Sequence, residues 1–203
     1  MKKIGIIDYG MGNLHSVENA LKYIGADCFI SDDKSELAKA DALILPGVGA
    51  FPDAIERLNK LDFPSFIKAE TEKKPLLGIC LGMQLLFDLS YENGAFKGLG
   101  IIPGKVVPMQ GVVGNNKVPQ IGWNRLDFTN ECPIFKYISD GDFVYFVHSY
   151  YAETPSEFVT ATTEYGASIT AAVRWGNVYG CQFHPEKSGD VGLKILKAFS
   201  EIK

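Results

Sequence analysis

Leu76-Leu77-Gly78-Ile79-Cys80-Leu81-Gly82-Met83-Gln84 is an apolar run that reaches a cysteine and goes on as a helix, with glycines two residues before and two after Cys80. A short run apolar on both faces reads as a buried parallel strand, and Leu81 to Phe87 takes up helical spacing at once. A strand that becomes a helix through one reactive side chain between glycines is the nucleophile-elbow pattern, here with Cys in place of Ser. Such a turn is strained and stands exposed above the sheet. A side chain at either flanking position would crowd the neighbouring backbone, so glycine is required there. The turn also sets the thiol near a helix N-terminus, where unpaired N–H groups and the dipole favour an anion. Spacing alone leaves two readings open, an activated nucleophile or a core cysteine buried between Ile79 and Leu81.

The alternation of short apolar runs and helices extends back to the start of the chain. Ile4-Gly5-Ile6-Ile7 reads as a strand ended by Asp8, Gly10 and Gly12. Asn13 is placed to cap a helix carrying Leu14, Val17, Leu21 and Ile24, which Gly25 stops. Cys28-Phe29-Ile30 and Ala42 to Leu45 are two further strands, the second closed by Pro46-Gly47-Val48-Gly49. A loop then leads to a helix opened by Asp62 or Pro64. This order predicts an α/β fold, a flavodoxin-like three-layer sandwich with a mostly parallel sheet and helices on both faces. After Tyr91 the pattern changes. Gly98 to Trp123 reads as antiparallel strands and turns added to the sheet's edge, and Phe143 to Val147 as another strand. Ala161 to Val173 and Val178 to Phe183 read as a pair joined by Arg174-Trp175-Gly176-Asn177. Ser188 opens a last helix whose inner stripe is Val191, Ile195, Leu196, Phe199 and Ile202. No repeat, linker or low-complexity block interrupts the chain, so one domain over residues 1–203 is expected.

Composition excludes several classes. Of 203 residues, 46% are hydrophobic and 22% charged, which rules out wholesale disorder. The formal net charge of −4 leaves no footprint for nucleic acid or an anionic membrane. No apolar stretch approaches the ~18 residues of a membrane helix. The run after Met1-Lys2-Lys3 ends at Asp8, too short for a secretory signal. Cys28, Cys80, Cys132 and Cys181 contain no Cys-x-x-Cys pair, so a reducing cytoplasm is expected rather than a disulfide framework.

Two further segments have chemistry to offer Cys80. Gln182-Phe183-His184-Pro185-Glu186 ends an apolar strand, where catalytic groups of α/β sheets gather. In an extended segment His184 and Glu186 point the same way, so the carboxylate holds one ring nitrogen while the other faces a thiol. Pro185 keeps His184 out of the helical region. A cysteine with a positioned histidine and a carboxylate is the logic of covalent acyl transfer, against which stands a surface loop with an incidental ion pair. Pro46-Gly47-Val48-Gly49 leaves backbone N–H groups free to converge on an anion, or is a plain turn. Gly10-Met11-Gly12 hints at a dinucleotide loop, but His15 stands where a third glycine belongs. Cys181 and His184 have ligand-like spacing, yet no second pair follows and a strand points them to opposite faces, so no metal site is expected.

Taken together, Pro46-Gly47-Val48-Gly49, Gly78-Ile79-Cys80-Leu81-Gly82-Met83-Gln84 and His184-Pro185-Glu186 resemble the class I (triad-type) glutamine amidotransferases. Asp8-Tyr9-Gly10-Met11-Gly12-Asn13-Leu14, Gly122-Trp123-Asn124 and Tyr145-Phe146-Val147-His148-Ser149-Tyr150 are similar to the glutaminase subunits of imidazole glycerol phosphate synthases within that class. The resemblance spans essentially the whole chain. It implies Cys80 as nucleophile on the glutamine side-chain amide, His184 as proton carrier and Glu186 as its orienting group. It implies an oxyanion hole from the Leu81 N–H and an N–H within Gly47, Val48 and Gly49, a strand that flips a peptide to complete it. Gln84 and the backbone of His148, Ser149 and Tyr150 would hold the amino-acid end of glutamine. Met11, Asn13, Pro119, Gln120 and Trp123 would meet or couple to a (β/α)8-barrel cyclase subunit in a heterodimer. Ammonia would pass there to turn an N'-phosphoribulosyl-formimino-AICAR nucleotide into imidazole glycerol phosphate and AICAR, in histidine biosynthesis. No cofactor is implied. One departure is Gln120, where the family usually has histidine. It keeps open a relative serving a barrel that amidates a nucleotide-linked sugar for surface polysaccharide. A non-catalytic scaffold of the same fold is the reading from another class, and the presence of all three triad residues argues against it.

Overall fold

The computed structural model describes residues 2–202. Strand Lys3–Ile7 (β1) is followed by helix Leu14–Tyr23 (α1), strand Asp27–Ser31 (β2), the one-turn helix Lys34–Leu37 (α2) and strand Ala42–Gly47 (β3). Helices Phe51–Lys60 (α3) and Phe63–Thr71 (α4) lead to Leu76–Cys80 (β4), which runs straight into the short helix Leu81–Gln84 (α5). The strands Phe87–Ser90 (β5), Phe96–Lys97 (β6), Ile102–Pro108 (β7), Gln120–Arg125 (β8) and Asp127–Phe128 (β9) come next. Phe143–His148 (β10), Tyr150–Glu153 (β11), Val159–Glu164 (β12), Ser168–Trp175 (β13), Val178–Cys181 (β14) and helix Gly189–Ser200 (α6) complete the chain.

The main sheet has the order β2-β1-β3-β4-β14-β13-β12-β9. Neighbours from β2 through β14 run parallel, and β13, β12 and β9 are added antiparallel. Side chains of the parallel strands alternate between two cores, as the two-residue period requires. Leu43 and Leu45 of β3 pack with Phe51, Leu58 and Phe63 of α3 and α4, while Ile44 packs with Val17 and Leu21 of α1 and Leu196 and Phe199 of α6. Helices therefore cover both faces, and the doubly wound sandwich expected from the sequence is the fold.

The differences are local and have identifiable causes. The segment read as a loop before Asp62 contains α3, whose Phe51, Ala54, Ile55 and Leu58 are buried at helical spacing. The helix expected to reach Phe87 ends at Gln84. The carbonyls of Leu85, Leu86 and Phe87 that would extend it instead accept N–H groups of Leu99, Ile101 and Gly100 at 2.8–3.0 Å. Gly98 to Trp123 does not extend the main sheet. β7 joins β5, β6 and β11 in a four-stranded sheet, and β8 pairs with β10 in a two-stranded one. Ala161 to Val173 is not one strand, because a turn at Gly166 (φ +76°) folds it into the hairpin of β12 and β13. Asn13 does sit at the head of α1, but its side chain accepts the Ser16 hydroxyl at 2.8 Å and caps no backbone N–H. Among the described residues no helix is long and apolar enough to cross a membrane.

Candidate active site

Cys80 ends β4, opposite Gly47 of β3, with φ 53° and ψ −112°. A non-glycine residue at positive φ is strained, and its neighbours over-determine the conformation. A Cβ on Gly82 would lie 1.8 Å from the Leu45 carbonyl oxygen, and one on Gly78 would lie 2.8 Å from backbone atoms of Gly82 and Met83. The flanking glycines thus let α5 rest directly on the backbone of β3 and β4. Contrary to expectation, the thiol is not exposed. Cys80 is only 8% accessible and forms the floor of a cavity of about 330 Å³. The helix beyond it is a single turn, so the local field comes from its unpaired N–H groups rather than from a long dipole.

His184 reaches the same floor from beyond β14. Its N–H donates to the Tyr145 carbonyl at 3.0 Å, and its extended backbone (φ −101°, ψ 97°) precedes Pro185. Pro185–Lys187 is a 3-10 turn, so this turn, rather than strand alternation, brings Glu186 round to the ring. The pair forms nonetheless, with His184 Nδ1 2.7 Å from Glu186 Oε1 and both side chains almost fully buried. Cys80 lines the same cavity and acts on the ring's protonation. Burial pulls the His184 pKa down, but the bonds and charges of Cys80 and Glu186 outweigh it and push the value up to about 10. A neutral imidazole with so high a proton affinity draws the thiol proton, and the imidazolium that results is the group that can hand it on.

His148 stands in the cavity wall with a different balance. Its Nδ1 faces the Tyr150 carbonyl at 2.8 Å, which only accepts, so the ring proton sits there. Nε2 is a buried lone pair with no protein partner. Burial, with a contribution from His184, lowers its pKa from 6.5 to about 4. The unfolded chain therefore binds a proton that the folded one refuses as pH falls from 6.5 towards about 4, and stability drops across that window. His184 works in the opposite sense: its contribution is complete below 6.5 and is lost as pH rises towards about 10. We expect His148→Gln, which keeps a donor for Tyr150, to flatten the acid limb of a denaturation-against-pH series. The recovered stability is at most roughly 3 kcal/mol at the acid end. An acid limb of unchanged slope in that variant would remove His148 as its source.

The remaining wall comes from several elements. Val48, Gly49 and Leu81 line the cavity on the elbow side, whereas Gly47 lies within β3 beside Cys80. The Tyr9 hydroxyl donates to the Pro46 carbonyl at 2.9 Å and pins the start of this strand, while Gly49 has φ +97°. Gln84, Ser149 and Tyr150 line the side where the chain passes from β10 to β11. Among the described residues no three His, Cys, Asp or Glu side chains gather as a metal site would need.

The Glutamine amidotransferase class-I family matches this chain over residues 5–201. The imidazole glycerol phosphate synthase subunit HisH of Caldanaerobacter subterraneus subsp. tengcongensis is 56% identical over 201 residues, covering 98% of each chain. The chain belongs to the class I glutamine amidotransferases, in the HisH group. The HisH subunit of Shouchella clausii is 52% identical, again over 98% of each chain. Among solved structures, PurLQS from Thermotoga maritima superposes with a TM-score of 0.73 at 22% identity, covering 98% of both chains. A GMP synthase component of Thermoplasma acidophilum gives 0.72 at 23%, covering 98% of this chain and 92% of that one. The fold of class I amidotransferases thus extends far beyond the HisH group.

Not every site residue of this amidotransferase lies where the sequence suggested. Met11 and Asn13 are half-buried, and a Cβ on Gly49 would lie 3.0 Å from Met11 Cε, so the loop after β1 touches the oxyanion strand. Pro119 lies on the cavity rim, and Trp123 is 55% exposed. Gln120 lies on the inner side of β8. It is 2% accessible, faces inward opposite His148, and neither amide atom has a protein partner. Strand alternation forces this once Ile121 and Trp123 face out. Sequence reasoning also missed Glu92, the single carboxylate among the described residues that line the cavity. Burial raises its pKa, and its Oε2 accepts the Phe51 N–H at 2.8 Å at the head of α3. A lone acidic residue in the Tyr91–Gly94 turn carries no pattern that would single it out.

Proposed function

We propose that the cavity binds glutamine and that Cys80, His184 and Glu186 hydrolyse it to glutamate and ammonia. Cys80 on a strained elbow and the hydrogen-bonded pair His184–Glu186, brought together at one cavity floor, carry the reading. His184 takes the thiol proton as sulfur bonds to the side-chain carbonyl carbon, and the electron pair moves to oxygen. The Leu81 N–H and an N–H of Val48 or Gly49 hold that oxyanion. His184 then protonates the leaving nitrogen as the C–N bond breaks. Water attacks the γ-glutamyl thioester, gives its proton to the imidazole and releases glutamate. Glu92 suits the α-ammonium, with Gln84 and the backbone at Ser149 and Tyr150 around the amino-acid end.

The ammonia has a destination in this proposal. The outer face of β8 and β10 exposes Ile121, Trp123 and Phe143 by 62%, 55% and 54%, while Val147 and Pro119 of the same region line the cavity. A contiguous apolar face rimming an active site suits a partner that closes the mouth. We assign it to a (β/α)8-barrel cyclase subunit of the histidine pathway, in a heterodimer, because the HisH relatives are named as synthase subunits. The free thiols suit a cytoplasmic setting. The test compares glutamine hydrolysis by the isolated chain with hydrolysis when the barrel partner and its nucleotide are present. One missing oxyanion donor holds the rate down by about 10²–10³, so stimulation of that order is expected. Full activity without the partner, unmoved by its addition, would overturn the coupling. A Cys80-dependent activity that is absent under both conditions would overturn the glutaminase reading.

A further inference from the structure

Gln182 lies between the end of β14 and His184 and is completely buried. A primary amide in that position must find partners for its donors and its acceptor within the protein. Its Oε1 accepts an N–H of Gln84 at 2.9 Å, and its Nε2 donates to Cys80 Sγ at 3.7 Å. Gln84 uses the same nitrogen again, donating to the Tyr150 carbonyl at 3.1 Å, which also accepts from His148 Nδ1 at 2.8 Å. A continuous hydrogen-bonded line therefore runs from the amino-acid wall of the cavity to the reacting sulfur. His184 faces the same cavity and pairs with Glu186 by a separate bond, so that pair does not require this line.

The chemistry of the step gives such a donor a purpose. When the thiol proton moves to His184, negative charge gathers on sulfur, and an N–H donated to an ion is roughly twice as strong as one donated to a neutral group. In the thioester that charge is gone, and it returns when the thioester is hydrolysed. We propose that Gln182 is a positioning residue for the nucleophile: its amide fixes the Cys80 side chain on the elbow, supports charge on the sulfur, and links that orientation through Gln84 to the glutamine pocket. The inference rests on the reading of Cys80 as nucleophile. Other groups face the same sulfur, namely His184 with Glu186 behind it, Tyr9 beyond β1, Cys181 of β14 and, past His184, His148 of β10. Only a comparison that changes Gln182 alone isolates the amide.

The experiment follows iodoacetamide modification of Cys80 against pH, located by peptide mass, in the full chain and in Gln182→Met, together with glutamine turnover. Gln182→Met keeps volume and loses both donors. The midpoint is expected to rise by about one pH unit, with roughly tenfold slower modification below it. kcat should fall more than KM changes. A merely structural role would lower Tm and leave the midpoint in place, and that result overturns the proposal. If Gln182→Met does not fold, the unaltered protein still decides. The side-chain amide NMR signals of Gln182 should follow the Cys80 titration and lose that dependence in Cys80→Ala, and signals indifferent to it overturn the proposal equally. Alkylation of Cys80 that spares glutamine turnover would sink the nucleophile reading itself. Alkylation that stops turnover, with a midpoint unmoved by Gln182→Met, sinks only the role of Gln182.

Discussion

Cys80→Ala is expected to abolish glutamine hydrolysis while the protein stays folded. Removing the nucleophile of a triad leaves only binding and the oxyanion hole, a loss of roughly 10⁴–10⁶ in kcat. Stability should fall by no more than the unpaired Gln182 donor costs, about 1–3 kcal/mol, because the sulfur borders a cavity and its removal opens no new void in a sealed core. Cys80→Gly sharpens the test. At φ 53° and ψ −112° any side chain is strained, by about 1–3 kcal/mol, and glycine releases it. The glycine variant should therefore melt above the alanine variant, with both inactive. Turnover and Tm measured on the three proteins separate the readings. Retained turnover ends the nucleophile assignment. A collapse of Tm in Cys80→Ala would make Cys80 the packed core cysteine that spacing alone left open.

How much of this was legible in the sequence depends on where each residue finds its partners. Strands β1, β3 and β4 are buried on both faces and read as unbroken apolar runs between glycines, so the parallel half of the sheet was plain. The second half was not, because β5, β7, β8 and β10 are only partly buried and leave the main sheet for two small ones. Leu85-Leu86-Phe87 fits a buried helix or a buried strand equally well, and only the backbone of residues 98–102 decides between them. Helix α3 did carry a signal in Phe51, Ala54, Ile55 and Leu58, masked by the run of turn residues from Pro46 to Pro52. In the site, Cys80, His184 and Glu186 stood out because glycine and proline fix their geometry locally. Glu92 could not, since its place in the cavity depends on α3 packing beside a distant turn. Gln182 sat inside a quoted motif without a role, because its partners Cys80 and Gln84 arrive from β4 and α5.

Gly82→Ala should damage both stability and catalysis through one contact. The added Cβ would lie 1.8 Å from the Leu45 oxygen and 2.8 Å from its carbonyl carbon. Both are backbone atoms of the central strand β3, so no rotamer change relieves the clash, and α5 must lift off the sheet. Overpacking against a side chain costs about 1–3 kcal/mol, and a clash with fixed backbone belongs at or above the top of that range. At this chain length about 3 kcal/mol lowers Tm by roughly 6–12 °C. The lift also moves Cys80 and the Leu81 N–H together, away from His184 and from the strand at Val48 and Gly49. A displacement near 1 Å at the reacting atoms costs on the order of 10² in rate. Gly25→Ala is the control, since that glycine has φ +76° but nothing within 4 Å of an added Cβ. It should lose only the backbone preference, about 1 kcal/mol, and keep full turnover. Thermal melts and steady-state glutaminase assays on both variants decide the matter. If Gly82→Ala melts and turns over like Gly25→Ala, the elbow tolerates a side chain there, and the close approach of α5 to β3 is not what holds Cys80 in its strained conformation.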